Sequence, residues 1–448
     1  MIALMYDGLE LGTFKEDESG ILRLNLHNNI QKSWLPYIFE LGIDNSTDMN
    51  IIINAWIKER VFPKNRFGSK KMLRELGLKK YDVRKIAEVT RCSVITDPYW
   101  LVYNENDTYC NNSVRGQMGL ENYPYNSLNL DNENDYTWRI GTETSTENNK
   151  KRDKQVIKWG DKELVLHEFK RSHANGGRLE KFWVEDIKTG RQFLIKGSSS
   201  FSYEPYSEKI AYIIGKDLGM DVLEYDILPA KLFHGMVPLN PMCKYVSICE
   251  KIDRKNYSIT SVAEIKRARN IVKKASDKPV TNREVMFELL DAKYIDTMIL
   301  FDAIIGNVDR HYGNVHILRS KDGKMVGAPL LDNGASLLAQ SSVWITTLFG
   351  FKVGEWINRS STMEDTHDKQ IEYIQELSGI SFEIVPKTIQ ILDEIQPVLD
   401  LMPKFRARAI KKYMVYRLHK YLGLMKRTNR PSSRKIDASD IIKEKEHT

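Results

Sequence analysis

Three oxygen-bearing side chains, Asp309, Asn314 and Asp332, have the types and spacing that phosphoryl transfer requires. This reaction needs a carboxylate that accepts the proton of the attacking hydroxyl, and oxygen ligands that hold Mg²⁺ against the phosphates. An Asp is followed five residues later by an Asn, and a second Asp comes after a short predicted hairpin. Protein kinases show the same order of Asp, Asn and Asp in their catalytic and metal-binding loops.

Apolar residues flank both of these polar loops. Ile304 and Ile305 precede the first loop, and Leu330 and Leu331 precede the second. An Asp-x₄-Asn spacing alone is common by chance, and Asn-Gly pairs usually mark turns. The flanking residues place both loops at the ends of apolar elements, where a rigid scaffold positions functional side chains. The apolar flanks therefore favour a functional role for the two polar loops over a role as simple turns.

The composition predicts a soluble protein of several domains. The 448 residues suffice for two or three domains, and 42% of them are hydrophobic. No run approaches the roughly 18 apolar residues of a membrane helix, and the N-terminus lacks the basic start of a signal peptide. The net charge of +7 does not by itself demand a nucleic-acid partner. Four cysteines without a Cys-x-x-Cys pair predict free thiols, so the expected location is the cytoplasm, without a membrane partner.

The first part of the chain, residues 1–103, predicts an α+β domain. Asp7-Gly8 separates two strand-like runs and predicts a hairpin. Helices are expected over about 33–60, 69–76 and 82–90, the last one capped by Asp82. Residues 104–155 are polar and rich in turn residues, without apolar periodicity. They predict a loosely ordered connection.

Residues 156–250 are rich in strand patterns and predict a sheet of about five strands. One of them, Gln192 to Lys196, ends in a lysine that a phosphate can reach. A helix over about 207–218 carries Glu208 in its first turn, where it can pair with Lys196. The alternative for Glu208 is an acidic residue favoured by the helix dipole.

Two other features of this strand-rich part bear on nucleotide binding. The turn Asn175-Gly176-Gly177 can lay backbone N–H groups over phosphates, or it is an ordinary hairpin turn. After the last strand, the backbone from Glu250 marks the crossing into a helical half, where a hinge can hydrogen-bond adenine. No side chain at this crossing indicates the base.

Residues 251–425 predict a helical domain, followed by a disordered tail over 426–448. A long apolar helix is expected over 283–305, and further helices over about 367–378, 383–400 and 403–424. Residues 336–355 predict a loop that folds over a substrate or merely packs. The last helix has a basic face, and this charge pattern predicts a solvated surface. The basic residues are Lys404, Arg406, Arg408, Lys411, Lys412, Arg417 and Lys420.

The stretch Ile305 to Asn314 resembles the catalytic-loop signature of the HipA-like bacterial serine/threonine kinases, many of which are toxins of toxin–antitoxin pairs. Leu331 to Gly334 resembles the loop of their second metal-binding Asp, and Phe193 to Lys196 resembles their nucleotide-binding strand. Ala174 to Lys181 resembles their phosphate-covering loop, and Glu208 to Gly219 resembles their "Glu … Leu-Gly" helix. The resemblance covers roughly residues 160–425, and the first 150 residues match poorly.

The resemblance implies a two-lobed, protein-kinase-like fold: a β-rich lobe over 156–250 and a helical lobe over 251–425. It implies ATP and Mg²⁺ as cofactors and a Ser or Thr hydroxyl of a protein as acceptor, with an antitoxin-like partner possible. Asp309 is implied as the general base and Asn314 and Asp332 as Mg²⁺ ligands. Lys196, held by Glu208, is implied to contact the α- and β-phosphates. The nucleotide-binding set implied in this way is Lys196, Asn175, Gly176, Gly177, Lys181 and Glu250.

Two other classes of function compete with the kinase. A catalytically silent protein of this fold that binds nucleic acid or a partner protein would use the basic C-terminal helix. It predicts DNA affinity that falls linearly with salt on logarithmic axes. A hydrolytic metal site built from Asp302, Asp309, His311 and His316 is the third reading, although their spacing matches no established ligand pattern.

Overall fold

The structure is a computed structural model of the whole chain. It describes residues 3–28, 30–65, 69–94, 97–117, 156–166, 179, 181–199, 203–233, 239, 242–252, 257–273, 277–320, 322–339, 359–374 and 384–428, the last range with only the backbone at 384–386 and 423–428. Antiparallel sheets and helices both contribute substantially, which confirms the mixed helix and sheet content expected of an α+β protein.

A four-stranded antiparallel sheet and four helices form the N-terminal part. The strands are β1 (Ala3–Tyr6), β2 (Leu9–Glu16), β3 (Leu22–Leu26) and β4 (Tyr99–Val102), in the order β3-β2-β1-β4. The helices are α1 (Tyr37–Asp44), α2 (Met49–Arg60), α3 (Ser69–Glu75) and α4 (Val83–Thr90). The predicted hairpin is confirmed, since Tyr6 pairs with Leu9 across the Asp7-Gly8 turn. Asp82 caps α4 as predicted, accepting the N–H groups of Arg84 and Lys85.

Ordered structure continues past residue 103 into the predicted polar connection. Two short helices, α5 (Tyr109–Asn112) and α6 (Val114–Gln117), pack against the N-terminal sheet. A buried ion pair holds them, with Arg115 Nε 2.7 Å from Asp7 Oδ1. The prediction of a loose connection was therefore wrong for residues 107–117, because one long-range charge pair and buried aromatic contacts order a locally polar segment. Residues 118–155 lie outside the described residues.

A six-stranded antiparallel sheet follows, one strand more than predicted. Its strands are β5 (Ile157–Trp159), β6 (Lys162–Leu166), β7 (Lys181–Asp186), β8 (Gln192–Lys196), β9 (Tyr225–Pro229) and β10 (Tyr245–Glu250), in the order β5-β6-β7-β8-β10-β9. One face is apolar and forms a core with residues such as Val184, Phe193 and Ile195. Helix α7 (Glu204–Asp217) contacts β9 and β10.

The C-terminal part is mostly helical. It contains β11 (Tyr257–Ser261), α8 (Val262–Val272), α9 (Asn282–Leu289), α10 (Ala292–Ile305), β12 (His316–Ser320), β13 (Met325–Gly327) and the helices His367–Ile371, Ile384–Leu399 and Lys404–Thr428. The prediction of one helix over 283–305 was wrong. Helix α9 ends at Leu289. The Asp291 carboxylate then accepts the N–H of Tyr294 at 2.8 Å and caps the start of α10.

Buried apolar side chains form three large clusters in the described part of the chain: one in the N-terminal part, one on the six-stranded sheet and one among the C-terminal helices. Helix α10 lies in the helical cluster, and ten of its residues are buried. The helix therefore fixes the position of the loop that follows it. None of the described helices is both long enough and apolar enough to span a membrane.

Candidate active site

The loop that carries Asp309 begins where α10 ends. Gly306 there has a left-handed backbone with φ 65°, and a side chain at this position would collide with the Tyr413 hydroxyl. The Asp309 side chain is 54% exposed, and its backbone carbonyl accepts the side-chain amide of Asn314 at 2.8 Å. This bond turns the amide nitrogen toward the loop, so Asn314 Oδ1 faces the other way. The loop thus offers a carboxylate and an amide oxygen.

The second loop, after β13, brings Asp332 to Lys196. Asp332 has φ 57°, a left-handed conformation that residues other than glycine seldom adopt outside turns and functional sites. Lys196 Nζ forms an ion pair with Asp332 Oδ1, and it lies 3.3 Å from Glu208 Oε1 and 2.8 Å from the Tyr225 hydroxyl. The lysine at the end of β8, the glutamate of α7 and the aspartate of the second loop therefore meet at one buried point.

Lys196 and Asp332 keep each other ionised at this point, whereas burial raises the pKa of the Glu208 carboxyl despite the nearby Lys196. Burial works against the ammonium of Lys196, but the carboxylates of Asp332 and Glu208 raise the pKa of Lys196 well above its usual value. Burial likewise opposes the Asp332 carboxylate, yet Lys196, Lys181 and His316 hold the pKa of Asp332 far below its usual range. Asp332 is therefore an ionised oxygen ligand at neutral pH.

The buried side chain of Arg310 connects the loop of Asp309 to the loop of Asp332. Its guanidinium is 1% exposed and pairs with Asp302 of α10, with Nε 3.1 Å from Oδ2. The same group donates to the backbone carbonyl of Asn314 at 3.1 Å, to that of Leu331 at 2.5 Å and to the Asn333 side chain at 2.5 Å. One planar side chain thus fixes the backbone beside Asn314 and the residues on both sides of Asp332.

Two further hydrogen bonds attach the second loop to its surroundings. The Asn333 N–H donates to Glu208 Oε2 at 2.9 Å, so the glutamate contacts both Lys196 and the loop of Asp332. The Val308 N–H donates to the Ala335 carbonyl at 3.2 Å, which joins the two loops directly. The relative position of Asp309, Asn314 and Asp332 is therefore set by bonds between the loops.

The remaining nucleotide-binding candidates have different positions. Lys181 lies directly opposite Lys196 in the β7–β8 pairing, so both side chains project from the same face of the sheet. The Glu250 side chain forms an ion pair with Arg191 at the exposed end of β10, and its role in binding adenine stays a prediction. Asn175, Gly176 and Gly177 lie outside the described residues.

Several residues of this site were not singled out from the sequence. Arg310 sits inside the quoted motif, but nothing local shows that its guanidinium is buried. Asp302 was considered as a ligand of the hydrolytic metal site, and it is instead a buried partner of Arg310. Tyr225 comes from a strand that gave no chemical signal, and Asn333 lies in the loop of Asp332 but was given no role of its own. A strongly polar residue between buried apolar runs was the only available indication of this network.

The basic C-terminal helix is not simply a solvated face. Arg417 is buried, and its Nε donates to the Ala303 carbonyl of α10 at 2.6 Å. Arg406 is also buried and lies 3.6 Å above the Tyr203 ring, and Lys420 pairs with Asp368 at 2.7 Å. Three of the seven basic residues thus hold the fold together, which removes much of the charge that motivated a nucleic-acid surface.

The hydrolytic metal site loses its first ligand. Asp302 is engaged by Arg310 and by the side-chain amide of Asn307 at 3.1 Å, so it is not directed at Asp309. Among the described residues, no group of three or more His, Cys, Asp or Glu side chains is arranged to hold a metal ion. The assignment of Asn314 and Asp332 as Mg²⁺ ligands stays a prediction.

Lys251, directly after β10, lies where the N-terminal part meets the six-stranded sheet. Burial and, to a smaller extent, the charge of Arg115 lower the pKa of Lys251 to about 7, while Asp7 and Asp97 act in the opposite direction. The folded state therefore disfavours the ammonium form, relative to an unfolded pKa of about 10.4. This cost is complete below pH 7 and disappears as the pH rises toward 10.

Replacing Lys251 by methionine is expected to raise the melting temperature more at about pH 6 than at about pH 9.5, because only at the lower pH is the buried ammonium charged in the native protein. Thermal unfolding at both pH values measures this difference. Lys188→Met, at an exposed lysine in the turn between β7 and β8, serves as the control. Equal shifts at both pH values would show that Lys251 titrates normally.

Similarity to one known protein supports a kinase-like character of this chain. No family model matches the chain. Over 219 residues the chain is 24% identical to the serine/threonine-protein kinase CtkA of Helicobacter pylori, covering 45% of this chain and 63% of that protein. The chain thus spans less than two thirds of this relative. The similarity agrees with a kinase-type phosphotransferase, while membership of the HipA-like group stays a prediction.

Two solved structures resemble the chain weakly. The crystal structure of the Helicobacter pylori proinflammatory kinase CtkA gives a TM-score of 0.34 at 15% identity, over 55% of this chain and 95% of that chain. The open conformation of CtTel1 gives a TM-score of 0.29 at 12% identity, over 66% of this chain and 13% of that chain. Because both scores are low, the description of the fold rests on the elements given above.

Proposed function

We propose that the protein is an ATP- and Mg²⁺-dependent serine/threonine kinase of the HipA-like type, with a β-rich lobe over 156–250 and a helical lobe over 251–425. The observation that carries the proposal is the meeting of Lys196, Glu208 and Asp332, combined with the Arg310 link to the loop of Asp309. The proposed phosphate-binding lysine, metal-binding aspartate and general base, Lys196, Asp332 and Asp309, are thereby held in fixed relative positions. Its acceptor is a Ser or Thr hydroxyl of a protein.

The residues fit a magnesium ion bound with the nucleotide. Mg²⁺ prefers oxygen ligands and usually keeps several waters, with one or two protein ligands beside the substrate phosphates. Asn314 Oδ1 and the ionised Asp332 carboxylate are such ligands. When bound, the ion neutralises charge on the phosphates and aligns them for transfer.

Each protein group has a defined part in the proposed reaction. Lys196 contacts the α- and β-phosphates. When the nucleotide binds, Lys196 exchanges its ion pair with Asp332 for the phosphates and keeps its ion pair with Glu208. Asp309 accepts the proton of the attacking hydroxyl, and its exposure lets an incoming protein side chain reach it. Lys181, on the same face as Lys196, adds positive charge near the phosphates, and the backbone at Glu250 binds the base. The resemblance assigns the covering of the phosphates to Asn175, Gly176 and Gly177.

The setting of this activity follows from the resemblance. We propose a cytoplasmic bacterial protein that acts as the toxin of a toxin–antitoxin pair, with an antitoxin-like partner. The resemblance to HipA-like kinases supports this part of the proposal, and the similarity to CtkA supports the kinase chemistry alone.

Transfer of labelled γ-phosphate from ATP tests the proposed function. Wild-type protein with Mg²⁺ is expected to label itself or a protein in a bacterial lysate, and removing Mg²⁺ with a chelator is expected to abolish the label. Lys196→Met should lower transfer by about 100-fold or more, because the phosphates lose their buried cation. Lys188→Met, at an exposed lysine in the turn between β7 and β8, is the matched control. Equal labelling by the two variants would contradict the assigned role of Lys196.

A further inference from the structure

One face of the six-stranded sheet provides the surface on which a nucleotide base would lie. Trp183 of β7 and Leu194 of β8 are paired directly, and each is two residues along its strand from Lys181 or Lys196. Residues two apart in a strand share a face and lie about 6.6 Å apart. With phosphates at Lys196, the base extends along this face toward Glu250. Trp183 and Leu194 therefore form the apolar surface available to the base.

A residue from the N-terminal part already covers this surface. Val114, the first residue of α6, is 3% exposed and packs with Trp183, which is 5% exposed. Leu194 packs against this pair. Val114 and Trp183 are 69 positions apart in the sequence, so the contact joins the N-terminal part to the proposed nucleotide site.

The contact leaves no space for a base between its two members. Apolar side chains in contact have heavy atoms within about 4.5 Å. A planar base with an apolar group on each face needs about 7 Å between those groups, which is twice the optimal contact distance of about 3.5 Å. Since Val114 touches Trp183 directly, a base cannot lie between them in this conformation.

Hydrogen bonds and charge hold Val114 in this position. Its N–H donates to Ser93 Oγ at 2.9 Å. The next residue, Arg115, donates to both carboxylate oxygens of Asp7, at 2.7 and 3.3 Å, and both side chains are buried. The segment is therefore part of the N-terminal fold and can move only when this part shifts or when α6 detaches from it.

We infer that residues 113–117, which we call the blocking segment, close the base end of the nucleotide site and must withdraw before ATP binds. This inference rests on the proposed kinase function and adds its regulation: the N-terminal part inhibits the enzyme in cis. Nucleotide and blocking segment compete for Trp183 and Leu194. A partner that pulls the N-terminal part away would activate the kinase.

Hydrogen–deuterium exchange of the whole protein tests the inference directly. Adding a non-hydrolysable ATP analogue with Mg²⁺ is expected to speed exchange of peptides that contain residues 109–117, because the segment leaves its hydrogen bonds. Peptides from α10 serve as an internal reference and should not change. Slower exchange at 109–117 would show that the segment lines the base-binding site and contacts the base, and this result would overturn the inference.

A pair of variants gives an independent test by nucleotide affinity. Val114→Ala weakens the contact with Trp183, so a fluorescent ATP analogue should bind about fivefold more tightly than to wild type. Val61→Ala, at a buried valine in the N-terminal core, is the matched control and should leave the affinity unchanged. Weaker binding by Val114→Ala would overturn the inference while leaving the nucleotide function intact. Absence of binding in every variant would contradict the nucleotide function and the inference together.

Discussion

Replacing Asp309 by asparagine is expected to lower the rate of phosphoryl transfer by about 10²- to 10⁴-fold, because the attacking hydroxyl loses its proton acceptor. Asparagine keeps the size of the side chain and its position in the loop. The Asp309 side chain is 54% exposed, so the melting temperature should stay near that of the wild type. Nucleotide affinity should also be retained, since Lys196 and Asp332 are untouched. Single-turnover transfer with saturating ATP and Mg²⁺ measures the effect.

The matched control for Asp309 is Asp161→Asn, which changes an exposed carboxylate in the turn between β5 and β6. This variant should transfer phosphate at the wild-type rate. If Asp309→Asn also transferred at that rate, Asp309 would not be the general base. Loss of nucleotide binding together with transfer would instead point to a role in assembling the site.

Substitutions at Arg310 are expected to separate folding from the positioning of the two loops. Arg310→Gln leaves Asp302 buried without its cation, which should lower the free energy of unfolding by about 3–5 kcal/mol. The double variant Arg310→Gln with Asp302→Asn removes that charge and should recover much of the stability. It should still transfer phosphate about 100-fold more slowly and need a higher Mg²⁺ concentration for half-maximal rate, because Asn314 and Asp332 are no longer fixed together.

Chemical denaturation gives the stability of each Arg310 variant, and a Mg²⁺ titration of the transfer rate gives the function of the loops. A control at a second link between distant segments is Arg269→Gln, which breaks a half-exposed pair with Glu288 away from both loops. A double variant with wild-type rate and wild-type Mg²⁺ dependence would show that Arg310 serves folding alone.

The features that local sequence predicted well are those that depend on neighbours in the chain. The strand ending in Lys196 has the expected bounds in the structure, because a short continuous apolar run after a Gly-containing turn defines it locally. The hairpin at Asp7-Gly8 and the cap at Asp82 follow from turn and capping preferences in the same way. The error over 283–305 was also local, since the apolar spacing continued across the break at Asp291 and concealed its cap.

The features that local sequence missed depend on partners far along the chain. Arg115 is predicted as part of a polar connection, yet it is buried and donates to the Asp7 carboxylate, which lies 108 positions away in the sequence. The C-terminal arginine Arg417 is predicted on a solvated face, yet it donates to the Ala303 carbonyl from 114 positions away. A charge pattern shows that a residue carries a charge, but burial with a partner depends on which distant surfaces meet.

By itself the sequence determined the order of the chemical groups: a lysine at a strand end, a glutamate in the following helix, and an Asp, Asn and Asp in two loops. It did so because residue type and short spacing are properties of the chain. Only the tertiary structure decided that Lys196 meets Asp332 across 136 positions and that Arg310 links the two loops. It also decided that Val114 lies on Trp183, since these contacts exist only when segments distant in sequence pack around common cores.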